Sequence, residues 1–204
     1  MKYLTVLLLV FTLVAGAAYY FMAYPPVVKK RAAERSLAAF GEAVASKDRA
    51  KIGAALGIFL APDAKVRLEI SFITIQTVLG RENPPLIQDF TKDTFIPFID
   101  NVLYPLSDYM YEGRITSFAL ADDGAANVSF ENDGWADGIS HASGVALNMR
   151  YTVKGVCSGN TVYEQEEALL KDAVCKLELR LVPKPGELDK VKDMGAMREI
   201  LTGQ

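Results

Sequence analysis

Two cysteines, Cys157 and Cys175, and one histidine, His141, offer little from which to build a metal site or a nucleophile–base pair. His141 falls in the polar, glycine-rich stretch 132–144, which reads as a loop, so a solvated position is its plain reading. Asp100 and Asp108 bracket an apolar stripe. A carboxylate turned into a pocket, its pKa raised by burial, would serve as a general base, whereas one facing water would not. Arg67, Tyr104, Arg150 and Tyr151 could line a cavity, but no spacing rule selects among them. No catalytic residue, cofactor-binding residue or metal ligand is assigned.

Three further groupings suggest binding. Glu131, Asn132, Asp133 and Asp137 with two glycines look like a calcium loop but miss the D-x-[DN]-x-[DN]-G-x5-E register. Trp135, the single tryptophan, sits in the same polar stretch. Exposed, it is a candidate interface anchor; folded back, it is packing. Asn127-Val128-Ser129 matches the N-glycosylation acceptor pattern, a triplet that arises readily by chance and here falls within an expected strand. Whether Cys157 and Cys175 bond depends on the segment between them. If residues 161–170 form one strand, the cysteines lie at its opposite ends, on the order of 30 Å apart at about 3.3 Å per residue, far beyond disulfide reach. A helix there shortens the gap and permits the bond.

What delivers these groups is set by the first two dozen residues. From Tyr3 to Tyr24 no side chain is charged, and about 20 such residues suffice to cross a bilayer core of about 30 Å. Residues 1–26 are read as a membrane anchor or signal peptide, with Leu4, Leu8, Phe11, Val14, Tyr19 and Phe21 in the span. Ala15-Gly16-Ala17 fits a cleavage site, but the apolar, aromatic run continues to Tyr24, as in an interfacial belt, which favours an uncleaved anchor. Lys29, Lys30 and Arg31, with Arg35 beyond, are membrane-flanking and placed to meet acidic headgroups. By the positive-inside rule this cluster would hold the body in the cytoplasm, whereas the short Met1-Lys2 head and leucine-rich core are those of exported chains. The expected location is a bacterial inner membrane, single-pass, with the body periplasmic. The alternatives are secretion after cleavage near Ala17 and a cytoplasmic-facing body.

The body, residues 27–183, is the size of one domain, followed by a tail or short helix at 184–204. Of the 204 residues, 50% are hydrophobic and 23% charged, an ordinary globular composition. A net charge of -3 gives no basic footprint for nucleic acid.

Ala33, Leu37, Phe40 and Val44 recur at helical spacing. Asp48 is placed to cap a second helix bearing Ile52, Leu56 and Phe59, which Pro62 stops. Val66, Leu68, Ile70 and Phe72 alternate as in a strand. After a loop at Gly80–Pro85, Thr91 or Thr94 caps a third helix carrying Phe95, Phe98, Ile99, Val102 and Leu103, with Pro97 in its first turn and Pro105 after its end. Strands follow: Arg114–Leu120, the turn Asp122-Asp123-Gly124, Ala125–Phe130, Val145–Val156, a turn at Ser158-Gly159-Asn160, and a closing strand through Leu177, Leu179 and Leu181 to Pro183. Tyr163–Asp172 has helix-favouring composition but is read as a strand because it lies among strands. The class is α+β: three helices packed in a curved antiparallel sheet, behind a transmembrane helix.

This order, with Phe40-Gly41-Glu42-Ala43-Val44-Ala45-Ser46-Lys47-Asp48 entering the second helix and Leu170-Lys171-Asp172-Ala173-Val174-Cys175-Lys176-Leu177 near the close, resembles the nuclear-transport-factor-2-like (NTF2-like, cystatin-like cone) superfamily over roughly Ala33 to Val182. In relatives a tryptophan commonly stands where this chain has Cys175. The resemblance implies a sheet wrapped around a long helix, and it spans polyketide-cyclase-like and isomerase enzymes, binding domains and envelope-assembly domains. Enzymatic relatives place an acid–base pair inside the cone, and this chain offers none by sequence. The expected function is a membrane-tethered, non-catalytic cell-envelope domain that binds an apolar ligand or assembles with an envelope protein, its other partner being the membrane. The alternatives are an isomerase- or cyclase-like enzyme with a cavity carboxylate, and a lipid-binding envelope protein.

Overall fold

The computed structural model describes Thr12, Val14, Ala17, residues 24–73, 84–142, 145–164 and 167–187, and Asp189. Of the expected span, Leu4, Leu8, Phe11, Tyr19 and Phe21 lie outside the described residues. Val14 is helical and 63% exposed. Among the described residues no helix is long and apolar enough to cross a membrane.

From Tyr24 onward, three helices among the described residues precede or interrupt the sheet: α1 (Tyr24–Ala45), α2 (Arg49–Phe59) and α3 (Lys92–Leu103). Ala32, Ala33, Leu37 and Val44 form the buried stripe of α1. Lys47 takes a left-handed conformation (φ 57°) just after the end of α1. The Asp48 carboxylate then accepts from the backbone N–H groups of Ala50 (3.0 Å) and Lys51 (3.3 Å), capping α2 as expected. Thr91 is the N-cap of α3, and its N–H donates to Thr94 Oγ1 at 3.0 Å. Since α3 starts at Lys92, Pro97 falls in the second turn rather than the first.

Six strands follow the chain as β1 (Leu60–Ile73), β2 (Leu86–Thr91), β3 (Leu106–Leu120), β4 (Ala126–Ala142), β5 (Val145–Glu164) and β6 (Glu167–Pro183), in the spatial order β2-β1-β6-β5-β4-β3. The sheet is mixed, not wholly antiparallel. β1 pairs with β6 in parallel, Val66 opposite Ala173 and Leu68 opposite Cys175, because the meander β3 to β6 returns to β1 from the far edge.

Two expected interruptions are strand. The polar stretch 132–144 is not a loop as far as Ala142: β4 runs through it, with Asn132, Ala136 and Gly138 facing the helices and Glu131, Asp133 and Trp135 facing outward. Its glycines serve packing. A side chain at Gly138 would meet Leu106 at 3.1 Å and Tyr151 at 3.3 Å. Ser158-Gly159-Asn160 lies in mid-β5, where Gly159 runs so close to the β6 backbone at Asp172 that no Cβ fits. The turn comes later, with Glu164 opposite Glu167. Within Tyr163–Asp172, residues 163–164 close β5 and residues 167–172 open β6, so the segment is divided between two strands. The expected turn at Asp122-Asp123-Gly124 is present, with Gly124 at φ 83°.

The β5–β6 hairpin settles the cysteines. Cys157 and Cys175 stand directly opposite each other on β5 and β6, Cα atoms 4.0 Å apart, and are bonded. The 30 Å separation fails because the chain reverses between them instead of running on.

A filled cone and an open outer face as the candidate functional site

The interior of the cone is closed by its own side chains. Leu37 of α1 and Phe59 of α2 pack with Phe130 and Ile115 of the sheet, and Phe40 of α1 stacks against Phe59 at 6.4 Å. The Phe40 ring lies edge-on to Tyr111 at 5.0 Å, and Phe59 lies edge-on to Phe130 at 6.4 Å. Between α1 and the sheet there remains a void of about 10 Å³, lined by apolar side chains and Thr161. A space of that size is marginal even for one water molecule. The Thr161 hydroxyl donates to the Ala126 carbonyl at 3.3 Å.

Deeper polarity is limited to a short chain of contacts. The Tyr111 hydroxyl donates to Asn132 Oδ1 at 2.6 Å, and Asn132 Nδ2 lies 3.1 Å from Cys157 Sγ beside the disulfide. Burial pushes the Tyr111 phenol well above its ordinary pKa, so it remains a neutral hydrogen-bond donor. These contacts satisfy one another's polar groups, and none of the three residues is a carboxylate or an imidazole.

The sequence candidates do not converge on the interior. Arg49 grips Asp100 through Nε at 2.6 Å, and Lys47 pairs with Asp108. These cations hold both carboxyls below the usual range, the reverse of what a general base needs. Tyr104 is 73% exposed, under the Arg49 guanidinium at 4.9 Å. Arg67 lies on the outer face near Glu69 (3.3 Å) and Asp89 (3.7 Å). Tyr151 packs inward beside Leu147, Met149 and Leu181. His141 is a strand residue opposite Ala146, not a loop residue.

The calcium-like acids are divided by strand alternation. Glu131 pairs with Arg114 (2.7 Å) and Asp133 with Lys154 (3.3 Å) on the outer face, while Asn132 points inward. Asp137 is 5% exposed and accepts from Arg150 Nε (2.8 Å) and Nη2 (2.9 Å) and from Lys184 Nζ (2.8 Å). Hydrogen bonds from Arg150 first, and from Lys184, keep its carboxyl far below the ordinary aspartate value. Trp135, half-buried, lies under the Arg150 guanidinium at 4.3 Å. This Asp137–Arg150–Lys184–Trp135 cluster is invisible to spacing rules because it joins two strands and the segment beyond a third.

Among the described residues, a hollow of about 290 Å³ lies between α2 and α3, lined by Ile52, Leu56, Ile96 and Leu103 with Arg49 and Asp100 at its edge. The larger concavities are on the other face of the sheet. Bending of the strands leaves two adjoining hollows of about 840 and 880 Å³. The first is floored by small polar groups, Asn127, Ser129, Ser158 and Asn160, between Arg67 and Asp172; the second is edged by the ion pairs named above. Asn127 and Ser129 of the glycosylation triplet both face this trough from β4.

No family model matches the chain, and no curated protein matches it. Among solved structures it is similar to a scytalone dehydratase-like protein of Novosphingobium aromaticivorans DSM 12444, at 13% identity and TM-score 0.52, over 79% of this chain and 89% of that one. A second protein of N. aromaticivorans, named as an aromatic ring hydroxylase, gives 16% identity and TM-score 0.50, over 78% and 95%. An NTF-2 like protein of unknown function from Shewanella oneidensis MR-1 gives 11% identity and TM-score 0.46, over 72% and 98%. Likeness at these identities is likeness of fold. The chain resembles the NTF2-like architecture, a curved sheet closed around a long helix, and a fold by itself does not select a function.

Proposed function

We propose that this protein is a membrane-tethered, non-catalytic cell-envelope domain whose outer sheet face binds a partner protein or ligand. The observation that carries the reading is the filled interior: where a cone enzyme would hold substrate, Leu37, Phe40, Phe59 and Phe130 meet one another. The bonded Cys157–Cys175 pair supports an oxidising compartment, and hence export of the body. The uncharged run from Tyr3 to Tyr24 supports the tether. Recognition then falls to the outer trough, where hydroxyl and amide groups lie in an open hollow between charged rims.

A photo-crosslinking residue placed in living cells at Ser129 or Ser158 should give one adduct of defined mass, and the same residue at Ala39 on α1 should not. Turnover of a hydratable or halogenated small molecule by the purified chain, lost in Tyr111→Phe, would reject the reading. A reporter fused after Gln204 that is active only in the cytoplasm would reject the compartment.

A further inference from the structure

α1 is fastened to the sheet close to its start. Lys29 Nζ donates to the Gly124 carbonyl at 2.5 Å and lies 4.7 Å from the Tyr163 ring centroid, while the Tyr163 hydroxyl donates back to the Lys29 carbonyl at 3.3 Å. Ala32 and Ala33, 3% and 4% exposed, then pack with Ala168. This end of the cone is made of the β3–β4 turn and the paired ends of β5 and β6. At its other end α1 leads to Lys47, which pairs with Asp108 of β3, in register with Asp137 of β4. α1 therefore runs the length of the cone, about 33 Å at 1.5 Å per residue, from the Gly124 end to the end that holds Asp137 and Trp135.

The Gly124 end has apolar residues without cover. Val27 is 42% exposed, Val28 38% and Leu120, at the close of β3, 37%. Lys30, paired with Glu34, and Arg31 stand beside them on α1, while Asp122, Asp123, Glu164 and Glu167 are exposed at the turns. The charges are of both signs, so they do not select an anionic surface. What selects the occupant is the chain itself. The uncharged run of residues 3–24 ends immediately before Val27 and Val28.

We infer that the Gly124 end of the cone is seated on the bilayer that holds residues 1–23, with Val27, Val28 and Leu120 in the interfacial layer and Trp135 held away from it. The inference rests on the membrane-tethered reading. It adds that the body does not swing on a free linker: the Lys29 fastening fixes one end to lipid and turns the opposite end toward the envelope. Because the contact is apolar, it persists on zwitterionic lipid and in high salt.

Trp135 is the natural reporter, being the single tryptophan. The full-length chain is reconstituted in phosphatidylcholine vesicles with and without lipid brominated on its acyl chains. Trp135 should keep its emission. In the Trp135→Phe background, Val28→Trp and Leu120→Trp should each lose about half of theirs, as for groups at the headgroup–acyl boundary. Co-flotation with vesicles while both new tryptophans stay unquenched, or quenching of Trp135 itself, would overturn the seating and leave the tether standing. Failure of the full-length chain to float with vesicles would overturn both.

Discussion

At the scale of single residues, Asp137 shows how a strand position acquires a charge network. It is nearly closed to solvent and bound by three donors from Arg150 and Lys184, both about half exposed. Screening at those partners keeps the gain modest, so Asp137→Asn should cost about 1–2 kcal/mol, read as a lower urea midpoint. The acid response carries the sign. The folded-state pKa of Asp137 is depressed, so its contribution is complete above the ordinary aspartate value of about 4 and is lost as pH falls below it. Urea titrations of the native chain should show stability falling below about pH 4, and Asp137→Asn should flatten that fall. Gly159 is the other residue-scale test. With the Asp172 carbonyl against it, Gly159→Ala should destabilise by about 1–3 kcal/mol, the usual cost of overpacking. Neither role could be read from sequence, where Asp137 looked like part of a loop and Gly159 like part of a turn.

At the scale of elements, helix starts were legible because caps act over three or four residues. Asp48→Ala should therefore cost about 1 kcal/mol, seen as a lower thermal midpoint with the fold unchanged. Lys92 is a cap the sequence concealed. Its ammonium donates to the Gly57 (2.6 Å) and Leu60 (2.7 Å) carbonyls at the end of α2, across a separation of over thirty residues. The disulfide belongs to this scale too, since it clamps β5 to β6 across a loop of 18 residues. Replacing both cysteines with serine should cost about 3 kcal/mol and lower the melting temperature by about 6–12 °C for a body of this size. Reductant should lower the native midpoint similarly and leave the double variant unmoved.

At the scale of the whole molecule, the space between α1 and the sheet is packed shut among the described residues, and the larger hollows lie on the outer sheet face. Ser158→Trp, set into the trough beside Ser129 and Val174, should leave the melting temperature within about 2 °C, as surface changes usually do, yet abolish any crosslinked adduct formed from Ser129. An adduct that survives would place recognition elsewhere. The amino-acid sequence by itself determined the helix stripes, the cap at Asp48, the cap of α3 to within Thr91 or Thr94, the alternation of β1 and β6 and the α+β order that resembles the NTF2-like cone. All of these depend on neighbours a few residues apart. Only the tertiary structure decided the parallel pairing of β1 with β6, the strand through residues 132–142, the bond between Cys157 and Cys175, and which face is filled and which hollow. Each of these depends on which strands lie side by side, and a polar or glycine-rich segment reads alike in a loop and in a strand whose partners need that space.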